Sequence, residues 1–276
     1  MSSWPPAQLA ELAGRLAQRG AARAAEMLGT VSSWNKPDAT VVTEADHAVQ
    51  DLLLDDLGRE CPDHAIVGEE DTGRPVPGVS VERARYCWLV DPIDGTRAFV
   101  RRQVGFTTSL GVIDLTTNRP VAGAVCEPLA GRLFVGFDGG GVRLNGQPVG
   151  PATDGLGKDS MVQVPYSHDD VAVPAALLDW HNRVATRNYG SCAIHLAMVA
   201  AGMLDASVHL TCRLWDIAGG AALVLAGGGV LTDLRGEPLF PADVGALVAG
   251  DIGFFAAQPA IAPTLLDMLK GALGNE

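Results

Sequence analysis

Apolar residues recur at helical spacing from Pro5 to Leu28, where Leu9, Leu12, Leu16 and a series of alanines are separated by Arg and Glu until Gly29 interrupts the run. The spacing predicts a long amphipathic helix. A polar stretch, Ser32 to Thr40, leads to Thr43-Glu44-Ala45-Asp46, where a threonine can cap a first turn and an acid follows three residues later. A second helix is expected from there to about Arg59. Two short apolar runs then end in acids: Ala65-Ile66-Val67-Gly68-Glu69-Glu70 and Tyr86-Cys87-Trp88-Leu89-Val90-Asp91. Their β-branched and aromatic content predicts strands that each deliver a carboxylate at the carboxyl end.

Thr107 to Asp114, Val121 to Glu127 and Leu133 to Phe137 read as successive strands, and Gly139-Gly140-Gly141 followed by Asn145-Gly146 suggests a hairpin near a sheet edge. After about Asp154 the pattern changes to alternating elements. Strands are expected at Met161 to Val164, Arg183 to Thr186, Ala206 to Leu210 and Val230 to Asp233. Helices are expected near Val171 to Trp180, at Ser191 to Ala201, at Ile217 to Ala226 and at Ile261 to Leu273. The change divides the chain into residues 1–153, an α+β lobe, and residues 154–276, an α/β lobe.

Composition narrows the function. With 47% hydrophobic and 19% charged residues in 276, the chain is an ordinary globular protein with room for a sizeable core. A net charge of −12 argues against nucleic acid or an anionic membrane as partner, because those surfaces attract a surplus of Lys and Arg. An anionic ligand would need neutralising by something else, and metal ions suffice. The five cysteines form no CxxC pair, the first residues lack a signal-peptide pattern, and no apolar stretch reaches the roughly 18 residues of a membrane span. A reducing cytoplasm is the simplest setting.

The strongest chemical feature is Asp91-Pro92-Ile93-Asp94-Gly95-Thr96. Two carboxylates lie three residues apart at a strand end, Pro92 stiffens the backbone, and Gly95 permits close approach where a helix can start. Such a segment can hold a metal and present amide donors to a phosphate; all donors being oxygen, magnesium fits. The same string can be only a turn. Its position after a buried strand, beside a second acid pair at Glu69 and Glu70, favours the metal, because converging acids repel one another without a cation. Asp216, after Trp215, can be a helix cap or a ligand; Asp46 can be a capping-box acid; Lys36 can be a solvated loop lysine.

Taken in order, Lys36, Val42-Thr43-Glu44-Ala45-Asp46, Gly68-Glu69-Glu70, Asp91-Pro92-Ile93-Asp94-Gly95-Thr96, Gly190-Ser191 and Trp215-Asp216-Ile217-Ala218-Gly219-Gly220 resemble the inositol monophosphatase superfamily of magnesium-dependent, lithium-sensitive phosphatases over nearly the whole chain. The resemblance implies a layered α-β-α-β-α sandwich of the inositol monophosphatase and fructose-1,6-bisphosphatase type. It further implies two or three magnesium ions, a homodimer and a small phosphorylated alcohol as substrate. It implies that Glu69, Asp91 and the Ile93 carbonyl hold one ion while Asp91, Asp94 and Asp216 hold a second. Glu69 and Thr96 would position an attacking water, Asp46 would orient the Thr96 hydroxyl, Lys36 would lie near the metal-bound waters, and Asp94, Gly95 and Thr96 would receive the phosphate.

On the substrate side the resemblance points to Gly190, Ser191, His209 and Arg213. His209 stands where the inositol phosphatases carry an acid that binds ring hydroxyls, and Arg97 with Phe99 after Gly95-Thr96 is closer to the histidinol-phosphatase branch. Arg101, Arg102 and Arg213 can serve a second anionic group or be surface arginines. Tyr166, Ser167, His168 and Asp169 can line the pocket or form a polar loop. A non-catalytic, metal-binding regulator on the same fold is the alternative of another class.

Overall fold

The computed structural model describes residues 4–35, 41–70, 76–152, 154–166 and 173–273. The chain opens with α1 (Pro6–Met27), then a small antiparallel pair, β1 (Ser33–Asn35) and β2 (Val41–Thr43), then α2 (Glu44–Glu60) and β3 (Ala65–Gly68). Next come β4 (Tyr86–Asp94), α3 (Thr96–Val100), β5 (Thr107–Asp114), β6 (Arg119–Glu127), β7 (Arg132–Phe137), β8 (Gly141–Leu144) and β9 (Gln147–Val149). The remainder is β10 (Met161–Gln163), α4 (Ala175–Leu178), β11 (Ala185–Thr186), α5 (Cys192–Ala200), β12 (Ala206–His209), α6 (Leu214–Ala226), β13 (Val230–Thr232), α7 (Val244–Ala249), β14 (Phe254–Ala257) and α8 (Ala262–Leu273).

The elements stack as α-β-α-β-α. A seven-stranded sheet runs β3 to β9 in sequence order, and a five-stranded sheet has the order β11-β10-β12-β14-β13. Helices α1 and α2 cover one face of the larger sheet, α5 and α6 lie between the sheets, and α8 with α4 covers the far face of the smaller one. Strand β4 shows how the sequence supports this. Its side chains alternate between two cores: Tyr86, Trp88 and Val90 pack toward α1 and α2, while Cys87 and Leu89 pack toward α5 and α6. A strand buried on both faces reads as a continuous apolar run. The next residue on the α6 side is Asp91, so the same alternation that builds the core turns a carboxylate toward the middle helical layer.

Helix α6 sits unusually close to the larger sheet. A methyl on Gly123 would lie 2.5 Å from the Gly219 carbonyl oxygen, and one on Gly111 would run into the backbone of Ala218. Glycine at both positions lets the helix drop onto β5 and β6, which brings its first turn, with Asp216, level with the end of β4.

Several expectations are corrected. β4 does not stop at Asp91 but stays paired with β5 through Asp94, with a bulge between the two acids. Proline has no N–H to give the ladder and is tolerated at a bulge, and the Pro92 carbonyl accepts the Thr108 hydroxyl at 2.8 Å. The polar stretch before Thr43 contains β1, paired antiparallel with β2. The helix expected near Val171 to Trp180 is, in the described residues, a single turn, α4, followed by a 3-10 turn at Asp179–Asn182; Pro174 restricts where it can begin. The pattern also missed β14, a short apolar run that becomes an inner strand between β12 and β13.

Candidate active site

Four acids reach one cleft from three places in the chain. Glu69 follows β3 and is held by its N–H on the Val90 carbonyl at 3.1 Å. Asp91 and Asp94 bracket the β4 bulge, and Asp216 is the third residue of α6. Glu69, Asp91 and Asp216 each place an oxygen within 4.8 Å of the other two. Asp94 lines the same cleft, with its Oδ2 accepting the Ser191 hydroxyl at 2.7 Å and the Ala193 N–H at 2.6 Å.

Uncompensated, this cluster is electrostatically unfavourable. Asp91 is 1% exposed, and its Oδ1 has no hydrogen-bond partner among the described residues. Burial, then the charges of Glu69 and Asp94, push its carboxyl well above the ordinary range; burial, then Asp94 and Glu69, do the same to Asp216. Burial lifts Asp94 to about 6 against the opposing pull of Ser191 and neighbouring amides. Buried acids with an orphaned oxygen are what a hard divalent cation satisfies. The residues present fit such an ion.

Beside the acids, Gly95 has a φ of 86°, and a side chain there would press on the Gly190 and Gly105 carbonyls. That left-handed residue lets α3 begin immediately, so the Thr96 amide stands in a first turn, where it has no intrahelical acceptor. The Thr96 hydroxyl lies 3.1 Å from the Ile93 carbonyl and 3.3 Å from Asp46 Oδ1. It has one proton to share between them. Asp46 also closes the capping box of α2, its Oδ2 accepting the Thr43 N–H at 2.8 Å and hydroxyl at 2.6 Å, and burial raises it to about 6. The capping and orienting roles read from the sequence coexist in one carboxylate, one oxygen for each. Asp216 likewise serves its helix at N3 rather than as the N-cap, accepting the Arg213 N–H at 2.7 Å.

The acid cleft, of about 170 Å³, adjoins a second cavity of about 190 Å³; Tyr166, Gly190 and Asp216 line both. The second cavity is also lined by Gln163, Asn188, Cys192, His209, Leu210, Thr211 and Cys212, with no Lys or Arg among them. Its floor is a directed chain of hydrogen bonds. The Tyr189 N–H donates to His195 Nε2 at 2.8 Å, so neutral His195 carries its proton on Nδ1. That Nδ1 faces His209 Nε2 at 3.1 Å, which leaves the His209 proton on Nδ1, directed at Cys192 Sγ 3.1 Å away. Burial keeps both imidazoles neutral, His209 being lowered to about 4. Hydrogen bonding to Cys212, followed by burial, raises the Cys192 thiol.

The site residues read from the sequence therefore fall into groups. Glu69, Asp91, Ile93, Asp94, Gly95, Thr96, Gly190 and Asp216 line the acid cleft, with Arg97. Asp46 stands behind Thr96. Ser191, expected at the substrate, is 1% exposed, and its hydroxyl caps α5 through the Ile194 N–H and holds Asp94. His209 lines the second cavity with both ring nitrogens engaged. Arg213 lines neither cavity, its guanidinium lying 3.3 Å from Asp251. Arg101 lines a shallow neighbouring cleft with Trp34, and Arg102 donates to the Gly29 carbonyl. Lys36, Ser167, His168 and Asp169 lie outside the described residues. Sequence reasoning missed Gln163, Asn188, His195, Cys192 and Cys212. A polar residue inside an apolar element, such as His195 in Ile194-His195-Leu196, was the available signal.

Known proteins resemble this chain in sequence and fold. The model of the inositol monophosphatase family matches residues 7–268. Inositol monophosphatase 1 of Solanum lycopersicum is 33% identical over 211 residues, 74% of this chain and 76% of its own length. A protein named Nus factor SuhB from Pasteurella multocida is 26% identical over 273 residues, 97% of this chain and 95% of its own. The solved inositol monophosphatase of Thermotoga maritima superposes with a TM-score of 0.82 at 22% identity, over 95% of this chain and 97% of that one, a likeness of fold. The chain belongs to the inositol monophosphatase family.

Proposed function

We propose that this protein is a magnesium-dependent phosphomonoesterase acting on the monophosphate of a small, uncharged polyol. The observation that carries the reading is the orphaned Asp91 Oδ1 at the centre of Glu69, Asp94 and Asp216, beside the Gly95-Thr96 turn. Glu69, Asp91, Asp94 and Asp216 would hold the magnesium, with the Ile93 carbonyl lining the same cleft. When bound, the ions supply charge neutralisation on the phosphoryl oxygens and a water acidic enough to attack in line.

The chain's own groups do the rest. Ionised Asp46 accepts the hydrogen bond of the Thr96 hydroxyl, which would leave the threonine's lone pairs free to accept from the attacking water. Glu69 lines the same cleft and would accept from that water as well. The Thr96 amide donates to a phosphate oxygen. The leaving alcohol extends into the second cavity, past Tyr166 and Gly190, which line both spaces.

That cavity supports the substrate class. Among the described residues none that lines it is cationic, so nothing there pairs a second phosphate, whereas Gln163, Asn188, Tyr166 and Thr211 suit hydroxyl groups. Gln163 Oε1 accepts the Val208 N–H at 2.9 Å and the Ser207 hydroxyl at 2.7 Å, and its buried Nε2 has no partner among the described residues. We assign that donor to a substrate hydroxyl. Histidinol phosphate is the alternative within the family, favoured by Arg97 after Gly95-Thr96 and by its place in the acid cleft. A non-catalytic regulator is the reading favoured by the Nus-factor relative; the Asp46-Thr96 contact speaks for catalysis, since metal binding alone does not need it.

The test is turnover by the purified chain, with magnesium, of inositol 1-phosphate, histidinol phosphate, a sugar bisphosphate and an aryl phosphate. Preference for a neutral polyol monophosphate is expected. No turnover of any, with magnesium bound, would leave the regulator reading. Millimolar lithium is expected to inhibit, and sedimentation is expected to give a homodimer.

A further inference from the structure

The floor of the second cavity carries its own set of metal donors. Cys192, Cys212 and Asp216 each place a donor atom within 4.8 Å of the other two. Both cysteines are free and line the cavity. A tetrahedral zinc with bonds of about 2.3 Å needs its sulfurs about 3.8 Å apart, so the side chains have to close by no more than about 1 Å. Thiolate sulfur is a poor ligand for magnesium and a strong one for zinc-like ions.

The surroundings of Cys192 include a donor suited to a metal-bound thiolate. The backbone N–H of Tyr189 fixes the protons of His195 and then His209, so that His209 Nδ1 presents N–H to Cys192 Sγ rather than a lone pair. An N–H donated to a ligating sulfur is a typical outer contact that orients and stabilises such a ligand. On the other side, Cys212 donates its S–H to the Ile252 carbonyl at 3.0 Å, a bond that metal binding has to break as the sulfur turns toward the ion. A fourth position, open to the cavity, remains for water or a substrate oxygen.

We infer that this chain has a second, soft-metal site, Cys192, Cys212 and Asp216 with His209 behind it, which takes a zinc-type divalent cation and competes with magnesium for Asp216. The competition rests on the proposed magnesium role of Asp216; the thiolate site does not. Binding forms two metal–sulfur bonds and releases both thiol protons to solvent, with no change of oxidation state. Occupancy would draw Asp216 away from Asp91 and lower phosphatase activity.

The full chain, stripped of metal and kept in a non-thiol reductant, is titrated with cobalt(II) as a spectroscopic probe. A thiolate-to-cobalt charge-transfer band saturating at one ion per chain is expected. Zinc should displace the cobalt and shield Cys192 from iodoacetamide, read by peptide mass spectrometry. A Cys192→Ser/Cys212→Ser double variant should lose the band, and the zinc needed to halve its own magnesium-supported rate should rise by about tenfold or more. A wild-type chain with no thiolate band and no shielding of Cys192 overturns the site, however the variant folds. A band with unaltered zinc inhibition in the variant overturns the competition. Because the band and the shielding are read without turnover, failure of the phosphatase reading leaves them interpretable.

Discussion

The acid rim and the thiol-imidazole floor meet at Asp216, yet they are satisfied in opposite ways. On the rim, carboxylates are brought together against their mutual repulsion, and Asp91 Oδ1 is left without a partner. On the floor, neutral groups satisfy one another in a single direction from the Tyr189 amide to Cys192. The rim is incomplete without an external cation. The floor is complete as folded, and becomes a ligand set when the thiol protons leave and the sulfurs close by up to about 1 Å. The contrast separates residues that weaken the empty protein from residues that support it.

The largest effect is expected of Asp91→Asn. It is expected to lower kcat by about three orders of magnitude. It should also raise the melting temperature of the chelated protein, by about 2–4 °C for each kcal/mol of repulsion relieved. A chelated variant that melts below wild type would mean the rim is not strained. Thr96→Ala tests the water-positioning role: kcat should fall about 100-fold with KM within a few-fold, and Thr96→Ser should restore most of it. Equal losses from Ser and Ala would point to packing instead.

The next effect is on stability against pH. Asp94 is lifted from 3.8 to about 6 in the folded chain. Between those values the metal-free fold holds a proton that the unfolded chain has lost, so its stability falls as pH rises through the window and stays low above it. Asp91 and Asp216 shift the same way. Magnesium, which needs the carboxylates ionised, should therefore raise the melting temperature more near about pH 7.5 than near about pH 5.5. Thermal scans with and without magnesium check this; an equal rise at both pH values would remove the acids from the metal site. The smallest effect concerns Gln163→Leu, expected to raise KM about tenfold for a polyol phosphate and hardly at all for an aryl phosphate. Taking the ratio cancels any general damage to the fold.

Legibility differed between the two regions for a physical reason. Rim residues are announced by local patterns: an apolar run that ends in acid at Val90-Asp91 and at Gly68-Glu69, a capping box at Thr43 and Asp46, and an acid in the first turn of a small-residue helix at Asp216. Each is a short-range property of a strand end or a helix start. The floor has no such signature. His195 lies within an apolar helix, His209 ends a strand, and Cys212 lies in the segment before α6; they meet only because α5 and the five-stranded sheet pack together. Ser191 shows the same limit from the other direction. Its place beside the site was visible, but that its hydroxyl is occupied by Asp94 was not.

The bulge at Pro92 and the single turn at α4 were likewise beyond local pattern, since pairing with β5 and packing on α8 decide them. By itself the sequence determined the strands and helices with strong periodicity, the acids they end on, and the family. The family resemblance grouped Asp216 with Glu69 and Asp91; only the tertiary structure decided how they meet, through glycines that let α6 rest on β5 and β6, and that the same carboxylate faces two thiols on its other side. Such close approach depends on the packing of distant segments, and short-range periodicity carries no information about it.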